Sequence, residues 1–85
     1  MKIKWSSAAT PSAELIDAVM DAYITWREDS AAVDASYRTW RHAPGHERAL
    51  SYDNYVAALD REELAANEYM RLVEQAEASA MSSIV

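Results

Sequence analysis

The sequence predicts an all-α fold, an antiparallel two-helix hairpin that assembles into a four-helix bundle as a homodimer. The 85 residues contain one glycine and two prolines, too few for the turns that a β sandwich or barrel needs every ~8–12 residues. Two long alanine-rich stretches without Gly or Pro lie on either side of Pro44-Gly45. Apolar residues in both stretches recur at spacings of three and four, which is the pattern of amphipathic helices.

The composition also argues against several functional classes. The absence of cysteine excludes a disulfide framework and a cysteine-bearing zinc site. Fourteen acidic against eight basic residues give a net charge of −6, which disfavours a nucleic-acid partner. No apolar run approaches the ~20 residues that span a bilayer, so no membrane partner is expected. No secretory signal is visible, and the expectation is a cytoplasmic, bacterial protein.

Residues 1–11 are predicted to form a flexible or partner-docking arm. Lys2-Ile3-Lys4-Trp5 alternates as a short strand does, so the arm could add a strand to the sheet edge of a partner. Thr10-Pro11 then indicates the start of a helix, with Thr10 as the cap and Pro11 in the first helical position.

The first helix is predicted over residues 12–42. Its inward seam has alternating spacings of three and four, typical of a heptad pattern, and consists of Ile16, Val19, Tyr23, Trp26, Ser30, Val33, Tyr37 and Trp40. The alternative is a break near Asp29-Ser30, which would give a three-helix bundle.

A turn over residues 43–45 is predicted to reverse the chain, with Gly45 supplying the conformational freedom. The second helix then covers 46–82, and residues 83–85 are expected to fray. Its predicted inward stripe is Ala49, Tyr52, Val56, Leu59, Glu63, Ala66, Met70, Val73 and Ala80. This stripe is wider than a two-stranded seam, which suits a helix with more than one neighbour, because it is flanked by Tyr55, Leu64, Tyr69, Leu72 and Ala76.

An internal repeat is the most distinctive motif. Tyr23-Ile24-Thr25-Trp26-Arg27 recurs fourteen residues later as Tyr37-Arg38-Thr39-Trp40-Arg41, so both copies face the same way, roughly 21 Å apart. One interpretation is an aromatic ladder that binds a partner helix, and the other is ordinary core packing. The candidate interaction residues are Tyr23, Trp26, Arg27, Tyr37, Trp40, Arg41, Tyr52, Tyr55 and Tyr69.

Glu63 is a carboxylate on the predicted inward stripe, where it needs a partner. The turn places it opposite Trp26 and Arg27, which predicts a structural pair between Arg27 and Glu63 or a Trp26 N–H contact. A di-iron bundle needs Glu-x-x-His motifs. The residues three positions before His42 and His46 are Thr39 and Ala43, so no metal or cofactor is expected.

These features predict a non-enzymatic interaction or scaffolding protein that self-associates through its aromatic heptad face. One alternative is an accessory subunit of a larger hetero-complex, whose protein partner covers that face. A second is a small all-α enzyme or metal-binding bundle with a cavity lined by Arg27 and Glu63. A basic hairpin tip is the expected second contact and comprises Arg38, Arg41, His42, His46 and Arg48.

Overall fold

The computed structural model describes residues 12–84 as two long helices joined by a short turn. Helix α1 covers Ala13–His42, a 3-10 turn covers Gly45–Glu47, and helix α2 covers Arg48–Ile84. The part of the chain so described is almost entirely helical and has no strand, which confirms the all-α hairpin. The predictions for the arm over residues 1–11, and for Val85, fall outside the described residues.

Helix α1 begins at a capping serine. Ser12 has extended backbone angles, and its Oγ accepts a 3.1 Å hydrogen bond from the backbone N–H of Leu15. A hydroxyl in this position satisfies one of the otherwise unpaired amides of the first turn. The cap is therefore Ser12 rather than the predicted Thr10. The helix then continues without a break past Asp29 and Ser30, so the three-helix alternative is wrong.

The reversal between the helices is made by Ala43 and Pro44, which are both extended, with ψ angles of 139° and 159°. Pro44 O then accepts a 2.9 Å hydrogen bond from the backbone N–H of Glu47, which closes the 3-10 turn. Gly45 does not have a positive φ, and a Cβ added there would meet no atom within 4 Å. The expectation that the turn depends on glycine is therefore wrong.

The contact seam of α1 differs from the predicted seam by one row of residues. Five positions agree and are half-buried, namely Val19, Trp26, Ser30, Val33 and Trp40. The second half-buried row is Leu15, Ala22, Asp29 and Ser36. The larger residues predicted for that row lie beside the seam with 39–44% of their surface exposed, namely Ile16, Tyr23 and Tyr37.

The contact seam of α2 is displaced in the same way. The observed inward residues are Ser51, Tyr55, Ala58, Glu62, Ala65, Tyr69, Leu72 and Ala76. The members of the predicted stripe lie one position further round the helix, where Val56, Ala66, Val73 and Ala80 are half-buried and Tyr52 and Met70 are 47% and 55% exposed. Four of the observed inward residues belong to the predicted widening of the stripe, namely Tyr55, Tyr69, Leu72 and Ala76. On α2, the contact with α1 thus uses mainly small residues and tyrosines.

Burial within the hairpin is slight. Of the residues whose side chains the structure describes, only Ser51, Ala58 and Leu72 are buried, and no large side chain is completely enclosed. Burial of apolar surface is the main favourable term in folding, and domains of this size are marginal even when their core is complete. Among the described residues, the two helices therefore leave eleven large apolar side chains with 37–70% of their surface exposed.

Candidate interaction surface

An aromatic cluster joins the helices at the Tyr23 repeat. The ring of Trp26 stacks on Tyr69 of α2 with centroids 5.6 Å apart and planes 10° apart. The ring of Tyr23 lies edge-on to Trp26, with centroids 6.0 Å apart. It is tilted against the ring of Tyr69, with centroids 5.5 Å apart. Such stacked and edge-on pairs add to the stabilisation from burial. The first copy of the repeat is therefore part of the contact between α1 and α2.

The second copy of the repeat forms a nearly identical cluster. Trp40 stacks on Tyr55 at 5.5 Å with planes 14° apart, and Tyr37 meets the two rings at 6.0 and 5.6 Å. Tyr55 and Tyr69 are themselves fourteen residues apart, so the two-heptad repeat extends through both helices. The fourth ring, Tyr52, lies 5.1 Å from Trp40.

The carboxylate between the two clusters belongs to Glu62. Its Oε2 accepts a 2.7 Å hydrogen bond from Trp26 Nε1, and the Oγ of Ser30 lies 3.4 Å away. The sequence prediction of a Trp26 N–H contact was correct in kind but named Glu63, which is exposed. Within the described part of the hairpin, Arg27 and Glu63 do not form an ion pair with each other. Glu62 occupies the inward row, midway between Tyr55 and Tyr69, which is the signal that would have identified it.

The arginines of the repeat do not take part in the clusters. Arg27 and Arg41 are exposed, and neither forms an ion pair with a described residue. The cation that does contact an indole is Arg48, whose guanidinium carbon lies 5.8 Å from the centroid of Trp40. Arg48 precedes Glu62 by fourteen residues and therefore takes the equivalent place in the second cluster.

The large exposed apolar residues are concentrated on one side of the hairpin. On each helix, the residue that directly follows a seam residue lies about 100° further round the helix. Because α1 and α2 are antiparallel, the residues that follow seam positions lie on the same side of the hairpin on both helices. This side, here called the apolar side, carries Ile16, Met20, Tyr23, Tyr37, Tyr52, Leu59 and Met70, which are 37–58% exposed. A group of exposed apolar side chains of this kind is typical of a protein–protein contact.

An open groove of about 280 Å³ runs along the edge of this side near the first cluster. Val19, Met20, Tyr23, Ile24 and Tyr69 line it. Its walls are almost wholly apolar, with no ionisable group other than the two phenols. The groove therefore suits an apolar side chain of a partner better than a charged substrate.

The opposite side of the hairpin, here called the polar side, carries mostly exposed polar residues, namely Thr25, Thr39, Asn54, Arg61, Glu68 and Gln75. Glu68 and Arg71 form a two-bond ion pair there, with distances of 3.0 and 2.8 Å. Hydrogen bonding to Arg71 lowers the pKa of Glu68 from its ordinary value. Single apolar residues such as Leu64 also occur on this side, but they are surrounded by polar ones.

Chemistry-bearing groups are sparse along the hairpin. Within residues 12–84, no group of three or more His, Asp or Glu side chains surrounds a point where a metal ion would fit. His46 lies 3.3 Å from the Glu47 carboxylate at the exposed tip, and His42 is exposed in the last turn of α1. Neither described helix has a segment long and apolar enough to cross a membrane.

Comparison with protein-family models, curated proteins and solved structures gives no match for this chain.

The geometry sorts the candidate residues into two sets. Trp26, Trp40, Tyr55 and Tyr69 hold the hairpin together, whereas Tyr23, Tyr37 and Tyr52 contact these rings and also present surface on the apolar side. Sequence reasoning placed Leu59 and Met70 in the core of the hairpin, and it missed the roles of Glu62 and Arg48. The core interpretation of the repeat therefore applies to Trp26 and Trp40, whose rings pack against α2.

Proposed function

We propose that this protein is a non-enzymatic helical interaction module that self-associates through its apolar side, forming a four-helix bundle from two hairpins. The proposal rests on one observation. On each helix, the stripe of apolar residues is centred to one side of the residues that contact the other helix of the same chain. On both helices, large exposed apolar residues lie one position away from the seam, toward the same side. A helix that packs against two neighbouring helices needs an apolar stripe that faces both of them.

The slight burial within one hairpin supports the same proposal. Seven large apolar side chains share one side, while only three residues in the described part of the chain are buried. A second hairpin placed on this side would cover those side chains and complete a core around the two aromatic clusters. Antiparallel four-helix bundles are built in this way from facing stripes.

The alternative is that a different protein covers the apolar side, with this chain as an accessory subunit. The net charge of −6 and the basic tip would then orient that partner. Under this alternative the isolated chain would be monomeric, poorly folded or aggregated. An enzymatic function has less support, because Arg27 and Glu63, which were expected to line its cavity, follow seam residues on different helices and form no contact with each other in the described hairpin.

Two matched substitutions on α2 test self-association. Met70 and Leu64 are both strongly exposed, at 55% and 70%, but Met70 lies on the apolar side and Leu64 on the polar side. We expect Met70→Glu to shift the chain from dimer to monomer in sedimentation velocity, because it places a charge in the buried interface. Leu64→Glu adds the same charge and should leave the dimer intact. Equal effects of the two substitutions would contradict the proposal.

A further inference from the structure

The apolar side has a charged residue at the middle of each helix. Arg27 follows Trp26 on α1, and Glu63 follows Glu62 on α2. The hydrogen bond between Trp26 and Glu62 fixes these two positions at nearly the same height along the hairpin. Both residues are exposed, and neither has an ion-pair partner among the described residues.

The two charges lie on opposite edges of the apolar side. Arg27 lies about 100° round α1 from Trp26, and Glu63 lies about 100° round α2 from Glu62. Within one chain, the width of both helices therefore separates Arg27 from Glu63. A second copy can bring them together. If the second copy is turned by 180° about an axis parallel to the helices, each residue stays at the same height along the helix axis. The α1 edge of one copy then lies against the α2 edge of the other.

We propose, building on the self-association above, that two copies pack in this orientation, with α1 of one lying on α2 of the other. Arg27 then pairs with Glu63 of the partner subunit, twice in each dimer. At the height of the first cluster, Tyr23 and the groove beside it face Met70 of the partner subunit. At the second cluster, Tyr37 faces Val56 of the partner subunit. Apolar residues thus meet apolar residues at both clusters, and the charges of Arg27 and Glu63 neutralise each other. Asp34, one heptad after Arg27 on the same edge, lies outside this pair.

The area of the surface is sufficient for such a dimer. From Ile16 to Arg41 the helix rises roughly 38 Å, and two helices side by side are roughly 20 Å wide. The apolar side therefore offers about 750 Å² on each copy, close to the ~800 Å² that each partner buries in a stable complex.

The other two-fold arrangement leaves Glu63 without a cation. With the axis perpendicular to the helices, α1 lies on α1 and α2 lies on α2. If Arg27 meets Asp34 of the partner subunit, the axis lies between these two positions, and Glu63 then faces Val56 of the partner subunit. If the axis instead lies level with Glu63, the two Glu63 carboxylates meet and the two Arg27 side chains meet, and juxtaposed like charges oppose association. Of these arrangements, the one with α1 on α2 is the one in which Glu63 faces an opposite charge.

Charge reversal with sedimentation equilibrium distinguishes the two arrangements. We expect Arg27→Glu and Glu63→Arg each to raise the dimer dissociation constant by about tenfold or more. The double variant R27E/E63R should return to within about threefold of the original. The double variant R27E/D34R is the matched control, since it has the same net charge, and it should remain weak. Circular dichroism verifies that each variant is helical.

The outcomes separate this proposal from the one on which it rests. Rescue by D34R instead of E63R would overturn the arrangement and keep self-association, as would a dimer that is indifferent to all four variants. A folded monomer for the unmodified chain would overturn both proposals.

Discussion

The indole of Trp26 on α1 donates a 2.7 Å hydrogen bond across the hairpin to the carboxylate of Glu62 on α2. The bond lies between the two aromatic clusters, at the point where the hairpin seam would otherwise contain an unpaired carboxylate. Because it is specific in geometry, it fixes the register of the two helices. The same register determines which residues reach the apolar side.

Loss of this bond should destabilise the hairpin. Glu62→Ala leaves the half-buried indole N–H without its protein acceptor, and we expect the free energy of unfolding to fall by about 1–2 kcal/mol. Glu62→Gln keeps an acceptor oxygen but not the charge, so its cost should be smaller. Urea denaturation at fixed protein concentration, followed by circular dichroism, measures both. The control is Glu74→Ala on the outer face of α2, and an equal loss there would contradict the role of Glu62.

The stacked indoles should be the largest single contributors to stability. Trp40→Ala removes a ring that contacts Tyr37, Tyr52 and Tyr55, and the expected cost is about 3 kcal/mol, the lower end for aromatic truncation because the ring is half-buried. Trp40→Phe should recover most of it. A chain that keeps its full stability without the Trp40 ring would mean that the second cluster does not hold the helices together.

The turn should tolerate a side chain at position 45. Gly45 has no positive φ and open space around its Cα, so alanine fits without strain and restricts the unfolded chain. Gly45→Ala should therefore raise the free energy of unfolding by about 0.4–1 kcal/mol. Thermal unfolding at fixed protein concentration measures the change. A clear loss of stability would show that the reversal requires glycine.

The ion pair on the polar side gives a prediction for pH. Arg71 lowers the pKa of Glu68 in the folded chain, so its contribution to stability is present above the unfolded pKa and is lost as pH falls through the folded pKa. Arg71→Ala should return the pKa of Glu68 toward its ordinary value near 4.5, as followed by NMR titration of the side-chain carboxyl. An unchanged pKa would mean that the pair does not persist in solution.

The hairpin was predictable from the sequence because its signals are local. The Gly- and Pro-free stretches and the Pro44-Gly45 break predict two helices and one reversal, and all three are present. The seam was predicted one row away from its true position. Large apolar residues define a stripe in a sequence, and here the stripe points between the neighbouring helix and the exposed side. The small residues that form the true contact, such as Ala22 and Ala58, give a weaker signal.

The identity of the paired carboxylate was lost for the same reason. Once the predicted stripe of α2 is displaced by one residue, Glu63 takes the place of Glu62 opposite Trp26. The spacing of Tyr55 and Tyr69 indicates which residues of α2 face α1, and Glu62 lies halfway between them on the same row. The fourteen-residue repeat on α2 is visible only when it is compared with the repeat on α1.

Sedimentation equilibrium of the unmodified chain at micromolar concentration tests the central claim most directly. Self-association through the apolar side predicts a single helical species with twice the chain mass of 9.5 kDa. A stable, fully helical monomer of 9.5 kDa at the same concentration would contradict it.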